Sequence, residues 1–225
     1  MVRLILFDVD GTLIHTQGAG VKAFGKTFES EFKVADATRG VDFAGRTDPS
    51  IVRDVFKRHH IDASPANFQR FFDCYVFWLD YLLCTTHGEI CPGVWNFIHA
   101  LAALPQPPMA GLLTGNIRLG AEIKLRHFQI WEYFRFGAFG DEHEDRNELA
   151  VIARQRGSET LGIPLRGDEI IVIGDTPNDV RCGQRIQAKT LAVATGPFKV
   201  PELEACHATW SVPNLCGLDP RPLCA

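Results

Sequence analysis

Arg3-Leu4-Ile5-Leu6-Phe7-Asp8-Val9-Asp10-Gly11-Thr12-Leu13, near the start of this 225-residue chain, runs an apolar stretch straight into a pair of carboxylates. A short apolar run without polar alternation reads as a strand buried on both faces of a parallel sheet. Three further runs have the same character: Ala110-Leu113 before Thr114, Glu169-Ile173 before Gly174-Asp175, and Thr190-Ala194 before Thr195-Gly196-Pro197. Helical patterns separate them, over Val94-Leu104, Leu119-Phe128, Asn147-Arg156 and Asp179-Ile186. Strand alternating with helix predicts an α/β fold with a doubly wound parallel sheet. Parallel strands present their polar ends at one sheet edge, where such folds bind ligands. The clusters at Asp8, Thr114 and Asp175 are therefore expected to meet in space.

Between about Gly18 and Gly88 the alternation stops. Helical patterns at Val21-Phe32, Ser50-His59 and Pro65-Leu83 follow one another with no convincing strand. Phe68, Phe71, Phe72, Tyr75, Leu79 and Leu82 recur at helical spacing, as a core-facing stripe would. A helical insertion is expected, residues 18–88, within a core domain of residues 1–17 and 89–225. Gly18-Ala19-Gly20 and Gly88-Glu89 would be its hinges. The alternative is that these helices belong to one larger layer.

Composition sets outer limits. The chain is 46% hydrophobic and 22% charged, ordinary values for a globular protein. A net charge of −4 argues against sequence-independent nucleic-acid binding, which needs a basic stripe. The seven cysteines include no C-x-x-C pair, so free thiols in a reducing cytoplasm are expected rather than a disulfide framework or a zinc site. The N-terminal apolar run stops at Asp8, too short for a signal sequence or a membrane span. The expectation is a cytoplasmic protein that engages neither membrane nor nucleic acid, as a monomer or homodimer. His15, His59, His60 and His87 lack metal-ligand spacing and read as surface or insertion residues.

Strand alternation would send the Asp8 and Asp10 side chains in the same direction, provided the strand persists that far. Paired carboxylates repel, so a cation or a shared proton is expected between them. Gly11 permits a sharp turn and close backbone approach to a ligand. Gly174-Asp175-Thr176-Pro177-Asn178-Asp179 repeats the pattern at a second strand end. Oxygen-only donors of this kind suit a hard cation such as Mg²⁺. Taken singly, each acidic cluster could instead be the cap of its following helix. Thr114-Gly115-Asn116 offers a hydroxyl and backbone N–H groups that can hold phosphate oxygens, or an ordinary turn.

These clusters resemble the motifs of the haloacid dehalogenase superfamily. Asp8-Val9-Asp10-Gly11-Thr12-Leu13 resembles the first motif, Thr114 the second, and Gly174-Asp175 through Asp179 the fourth, in matching order along the whole chain. The resemblance implies a Rossmann-like core with an inserted helical cap, and a Mg²⁺-dependent phosphatase acting on a small phosphorylated metabolite, phosphoglycolate-like at first choice. Asp8 would be the nucleophile, Asp10 the acid/base, and Thr114 and Asn116 the phosphoryl holders, with Gly11, Thr12 and Gly115 also at the substrate. Asp8, Asp10, Asp175 and Asp179 would serve the metal, Asp10 through its backbone carbonyl and Asp179 by supporting the metal's water shell or by orienting its neighbours. The third motif departs from the family pattern: where a Lys is usual, Gly140-Asp141-Glu142-His143-Glu144-Asp145-Arg146-Asn147 offers only Arg146, with Lys124 one helix earlier as the alternative. Phe43-Ala44-Gly45-Arg46-Thr47-Asp48 resembles a cap loop, in which Arg46 would bind a substrate anion; equally, Thr47 or Asp48 would simply cap the next helix. A β-phosphoglucomutase-like mutase and a metal-independent dehalogenase share the fold. The acidic Asp10 position disfavours the dehalogenase.

Overall fold

The computed structural model describes residues 1–225. Its main sheet has six parallel strands in the order β5-β4-β1-β6-β7-β8. These are β1 (Leu4–Phe7), β4 (Met109–Leu113), β5 (Gly137–Ala138), β6 (Ile170–Gly174), β7 (Lys189–Val193) and β8 (Trp210–Val212). β1 lies at the centre, with Phe7 in register with Leu112 of β4 and Ile173 of β6. Helices α4 (Val94–Ala102), α5 (Arg118–His127), α6 (Arg146–Leu161), α7 (Pro177–Arg185), α8 (Val200–Glu204) and α9 (Arg221–Cys224) complete the layer structure.

The burial of the central strands on both faces follows from the strand period of two. Ile5 and Phe7 join Leu112, Ile171 and Ile173 in a cluster with Phe97 and Leu101 of α4 and Leu125 of α5. Leu4 and Leu6 join Leu113, Ile170 and Val172 on the opposite face, against Leu149 and Ala153 of α6 and Cys182 of α7. Asp8 follows Phe7, so the same alternation turns it toward the side of α6 and α7. The central strands therefore contain no polar positions, and the functional residues sit at their ends.

Residues 19–85 form three helices: α1 (Ala19–Phe32), α2 (Asp48–Arg58) and α3 (Pro65–Thr85). They have a core of their own, in which Phe24, Phe28, Phe56, Phe71 and Tyr75 pack edge-on and tilted. Such ring pairs add about 0.5–1.5 kcal/mol each beyond their buried area. The expected stripe on α3 is present, with Phe71, Tyr75 and Leu79 fully buried and Phe68, Phe72 and Leu82 at its margins. Ile117, at the start of α5, contributes the core's side of this cluster.

The structure adds a feature too short for sequence periodicity to reveal. β2 (Ile14–His15) and β3 (Glu89–Ile90) pair antiparallel and tie together the two chain segments that lead to and from the helical unit. Ala19 and Gly20 are already in the first turn of α1, so the crossing lies at residues 16–18 rather than across the whole Gly18-Ala19-Gly20 stretch. Gly18 itself is left-handed, with φ +79°, where glycine alone is unstrained. No helix is long and apolar enough to cross a membrane.

Candidate active site

β1 ends at Phe7, and Asp8 is the first residue beyond it, its N–H still donating to the Ile173 carbonyl. Its side chain is buried and meets Arg146, whose Nη2 lies 3.0 Å from Asp8 Oδ1 and 2.5 Å from Asp179 Oδ1. Arg146 is the first residue of α6, and Asp145 caps that helix by accepting from the Asn147 N–H. Asp179 sits in the first turn of α7 and closes a capping box: its Oδ2 accepts from both the N–H and the hydroxyl of Thr176. Asp175 is held from another direction, with Thr12 Oγ1 donating to its Oδ1 at 3.0 Å. A Cβ on either Gly11 or Gly196 would overlap the Asp175 carboxylate, so these two glycines make the room it occupies.

Asp10 belongs to a different network. Beyond Phe7 the chain leaves the strand, and Gly11 turns it with φ +80°. The condition for Asp8 and Asp10 to point the same way is therefore not met. Asp10 Oδ2 accepts from Lys124 Nζ at 2.6 Å and from Asn116 Nδ2 at 2.8 Å. Lys124 also donates to Asn116 Oδ1 at 2.5 Å, and Asn116 donates to Thr114 Oγ1. Thus Arg146 serves the Asp8 side of the site and the buried Lys124 serves the Asp10 side.

The helical unit closes over both networks. The Asp48 N–H donates to the Gly115 carbonyl, Asp48 Oδ2 accepts from the Ile117 N–H at the start of α5, and Asn178 donates to the Gly45 carbonyl. Gly45 has φ +65°, and a Cβ there would lie 2.5 Å from Thr176 Oγ1, so only glycine allows this approach. Thr47 caps α2 through its hydroxyl, as its sequence position suggested. Beneath the loop lies a cavity of about 430 Å³, reached by Asp8, Asp10, Thr114, Asn116, Lys124 and Arg146.

Three buried carboxylates, those of Asp8, Asp175 and Asp179, bring oxygens within 4.8 Å of one another, and Asp8 and Asp179 share the Arg146 guanidinium. Burial pushes the Asp8 carboxyl up to about 6, against the pull of Arg146 and with the help of Asp179. Burial, then Asp179 and Asp8, raise Asp175 well above the usual carboxylate range. Desolvated carboxylates in excess over cations, all with oxygen donors, form a set that fits a hard divalent cation.

Asp48 provides a test away from that cluster. Burial pushes its carboxyl up to about 7, partly offset by Lys124 and by the Ile117 N–H. An acid that binds its proton more tightly when folded stabilises the fold at low pH and loses that contribution as pH rises through the folded value. Metal-free protein is expected to lose stability between pH about 4 and about 7, with Asp48 contributing on the order of 3 kcal/mol. Asp48→Asn, which keeps an acceptor for Ile117, should flatten this slope in thermal denaturation. An unchanged slope would show that Asp48 is not the group responsible.

Most of the sequence-derived residues converge here, and five of the residues discussed have surroundings of their own. Thr12 is 1% exposed and supports Asp175 rather than facing the cavity. Asp179 has both oxygens engaged by Thr176 and Arg146, which makes it a support for those groups more than a free ligand. Arg46 lines the cavity, but its Nη2 is bound to Asp54 at 2.6 Å and to the Ser50 carbonyl. Gly115 meets the Arg46 carbonyl so closely that it acts as the seat of the loop. His15, expected on the surface or in the insertion, lies in β2 and lines the cavity mouth. Sequence reasoning missed Asp48 as a bridge to α5, Tyr75 as a cavity residue, and Gly196 beside Asp175. The run Thr195-Gly196-Pro197 after a predicted strand was the available signal for the last of these.

An α/β core with a cluster of acidic residues at the carboxyl edge of a parallel sheet is the class that fold and site define. The model of haloacid dehalogenase-like hydrolases matches residues 5–193, and the chain belongs to that family. A Clostridium perfringens protein named "putative pyrophosphatase PpaX" is 23% identical over 198 residues, covering 86% of this chain and 84% of that one. Among solved structures, a "predicted phosphoglycolate phosphatase" from Haemophilus somnus superposes with a TM-score of 0.75 at 16% identity, covering 95% of each chain. CbbY from Rhodobacter sphaeroides, solved in complex with phosphate, superposes with a TM-score of 0.72 at 19% identity, covering 97% of this chain and 96% of that one.

Proposed function

We propose that the protein is a phosphatase that hydrolyses a small phosphate monoester through an aspartyl-phosphate on Asp8, with residues 18–88 acting as the cap. The observation that carries this reading is the division of labour around the two aspartates. Arg146 faces Asp8 at the sheet edge, while Lys124 and Asn116 hold Asp10 in the same cavity. The relatives named as phosphatases support it.

An Asp8 oxygen attacks phosphorus, and the bond from phosphorus to the ester oxygen breaks. Asp10 gives its proton to the departing oxygen, so the leaving group departs as an alcohol. Asp10, now a carboxylate, takes a proton from water as that water attacks the phosphorus of the aspartyl-phosphate. Inorganic phosphate leaves and Asp8 is restored. Arg146 offsets negative charge at the nucleophile, and the Thr114 hydroxyl, whose oxygen accepts from Asn116, offers its own hydrogen to a phosphoryl oxygen. A divalent cation, Mg²⁺ by donor type, would be held by Asp8, Asp175 and the Asp10 carbonyl, and supplies positive charge that offsets repulsion between carboxylate and phosphate. The cap loop at Gly45 and Asp48 excludes water from the nucleophile until the second step.

The assay is phosphate release from p-nitrophenyl phosphate with Mg²⁺, with a chelated arm beside it. Steady release that stops on chelation is expected. No release above the enzyme-free rate with any divalent cation would defeat the reading.

A further inference from the structure

The part of the cavity away from Asp8 contains Tyr75, which the proposed reaction leaves unused, beside Lys124 and Asp48. Tyr75, on α3, is 1% exposed, lines the cavity, and its hydroxyl has no hydrogen-bond partner within the protein. Lys124 Nζ lies close by: a Cβ built on Gly20 would be 3.6 Å from Nζ and 4.0 Å from the Tyr75 hydroxyl. Gly20 thus leaves an open space beside both groups. Asp48 stands at the same boundary between cap and core, with Oδ2 taken by the Ile117 N–H and Oδ1 without a partner. The rings of Phe24 and Phe43 form part of the wall.

Charge narrows what this space can accept. The three strongly basic side chains that line the cavity are each engaged by a carboxylate: Arg46 by Asp54, Lys124 by Asp10, and Arg146 by Asp8 and Asp179. His15 is the remaining basic group, and it lies part-exposed at the mouth. A second anion on the substrate would therefore find no unpaired strong cation among these side chains. A hydroxyl, in contrast, both donates and accepts, and suits Tyr75, Lys124 and Asp48 together. The volume, about 430 Å³, lies within the roughly 300–1,000 Å³ range of small-molecule sites and exceeds what a bare phosphate needs.

We infer that Tyr75, Lys124 and Asp48 form a leaving-group subsite that selects an uncharged, polyhydroxylated alcohol phosphate over carboxylated or doubly phosphorylated esters. This rests on the phosphatase reading and specifies its substrate class. The phosphoglycolate-like first choice rested on the cap type and on Arg46, and the pairing of Arg46 with Asp54 weakens the second of these supports.

The test compares kcat/KM for glycerol 3-phosphate and hexose 6-phosphates with that for 2-phosphoglycolate, 3-phosphoglycerate and a hexose bisphosphate, using p-nitrophenyl phosphate as reference. The wild type should favour the hydroxylated monophosphates by about tenfold or more. Tyr75→Phe, which keeps the ring and its packing, should lower the ratio of hydroxylated ester to p-nitrophenyl phosphate by about 3- to 10-fold. A thermal-shift titration of the Asp8→Asn protein gives a second readout, in which glycerol 3-phosphate should stabilise more than 2-phosphoglycolate. Turnover of p-nitrophenyl phosphate with preference for the carboxylated esters, or with a ratio unmoved by Tyr75→Phe, overturns the subsite alone. No turnover and no stabilisation by any ester overturns both the subsite and the phosphatase reading.

Discussion

Asp8→Asn should release no phosphate while folding more stably than the wild type in the absence of metal. The substitution keeps the shape of the side chain and removes the attacking oxygen, so kcat is expected to fall by at least about 10⁴-fold. Stability moves the other way for an electrostatic reason. Asp8 shares Arg146 with Asp179, and burial already pushes its carboxyl up to about 6. Removing one of three buried carboxylates reduces repulsion on Asp175 and Asp179. Above pH about 6 the metal-free variant should therefore have the higher Tm, and Mg²⁺ should stabilise it less than the wild type. Gain of stability with loss of activity is the behaviour of a site held under strain for function. Residual turnover within tenfold of the wild type, or a lower metal-free Tm, would contradict this account of Asp8.

The second large effect is expected at Arg146. Its guanidinium is 8% exposed and bridges two buried carboxylates, which more than offset the cost of its burial and raise its pKa. Arg146→Ala leaves both carboxylates without their cation, and breaking a buried pair in this way costs about 3–5 kcal/mol. Turnover should fall by about 10²–10³-fold through loss of charge stabilisation at the nucleophile. Arg146→Lys separates the two effects. It restores a positive charge but not the planar fork, so stability should return further than kcat. Equal recovery of both, or near-normal kcat in the alanine variant, would remove Arg146 from the chemistry.

The central sheet could be read from sequence because its strands are buried on both faces and therefore have unbroken apolar runs. β1, β4, β6 and β7 were all visible for that reason, as were the helices between them. β5 and the β2–β3 pair were not, since two residues carry no period, and β8 is a short, half-buried edge strand. The aspartates at strand ends were legible because a carboxylate directly after an apolar run has few structural uses. What could not be read was which groups they face. Asp10 is held by Lys124 and Asn116, more than a hundred residues further along the chain, and no local pattern encodes that pairing. Arg46 was a plausible anion binder from its place beside Gly45, but a partner eight residues on, Asp54, engages its charge. Tyr75 belonged to a helical stripe whose spacing marks it as core. Its ring is indeed packed against Phe24, and the same residue also lines the cavity. Asp48 bridges to α5 across a long separation in sequence, which no local pattern encodes.

The most direct test of the central claim is to acid-quench the wild-type protein during turnover, digest it with trypsin and locate the phosphoryl group by mass spectrometry. The peptide from Leu4 to Lys22 should carry one hydroxylamine-labile phosphoryl group, fragmenting to Asp8. A label on another residue, or continued turnover with no label on Asp8 at any quench time, would contradict the account.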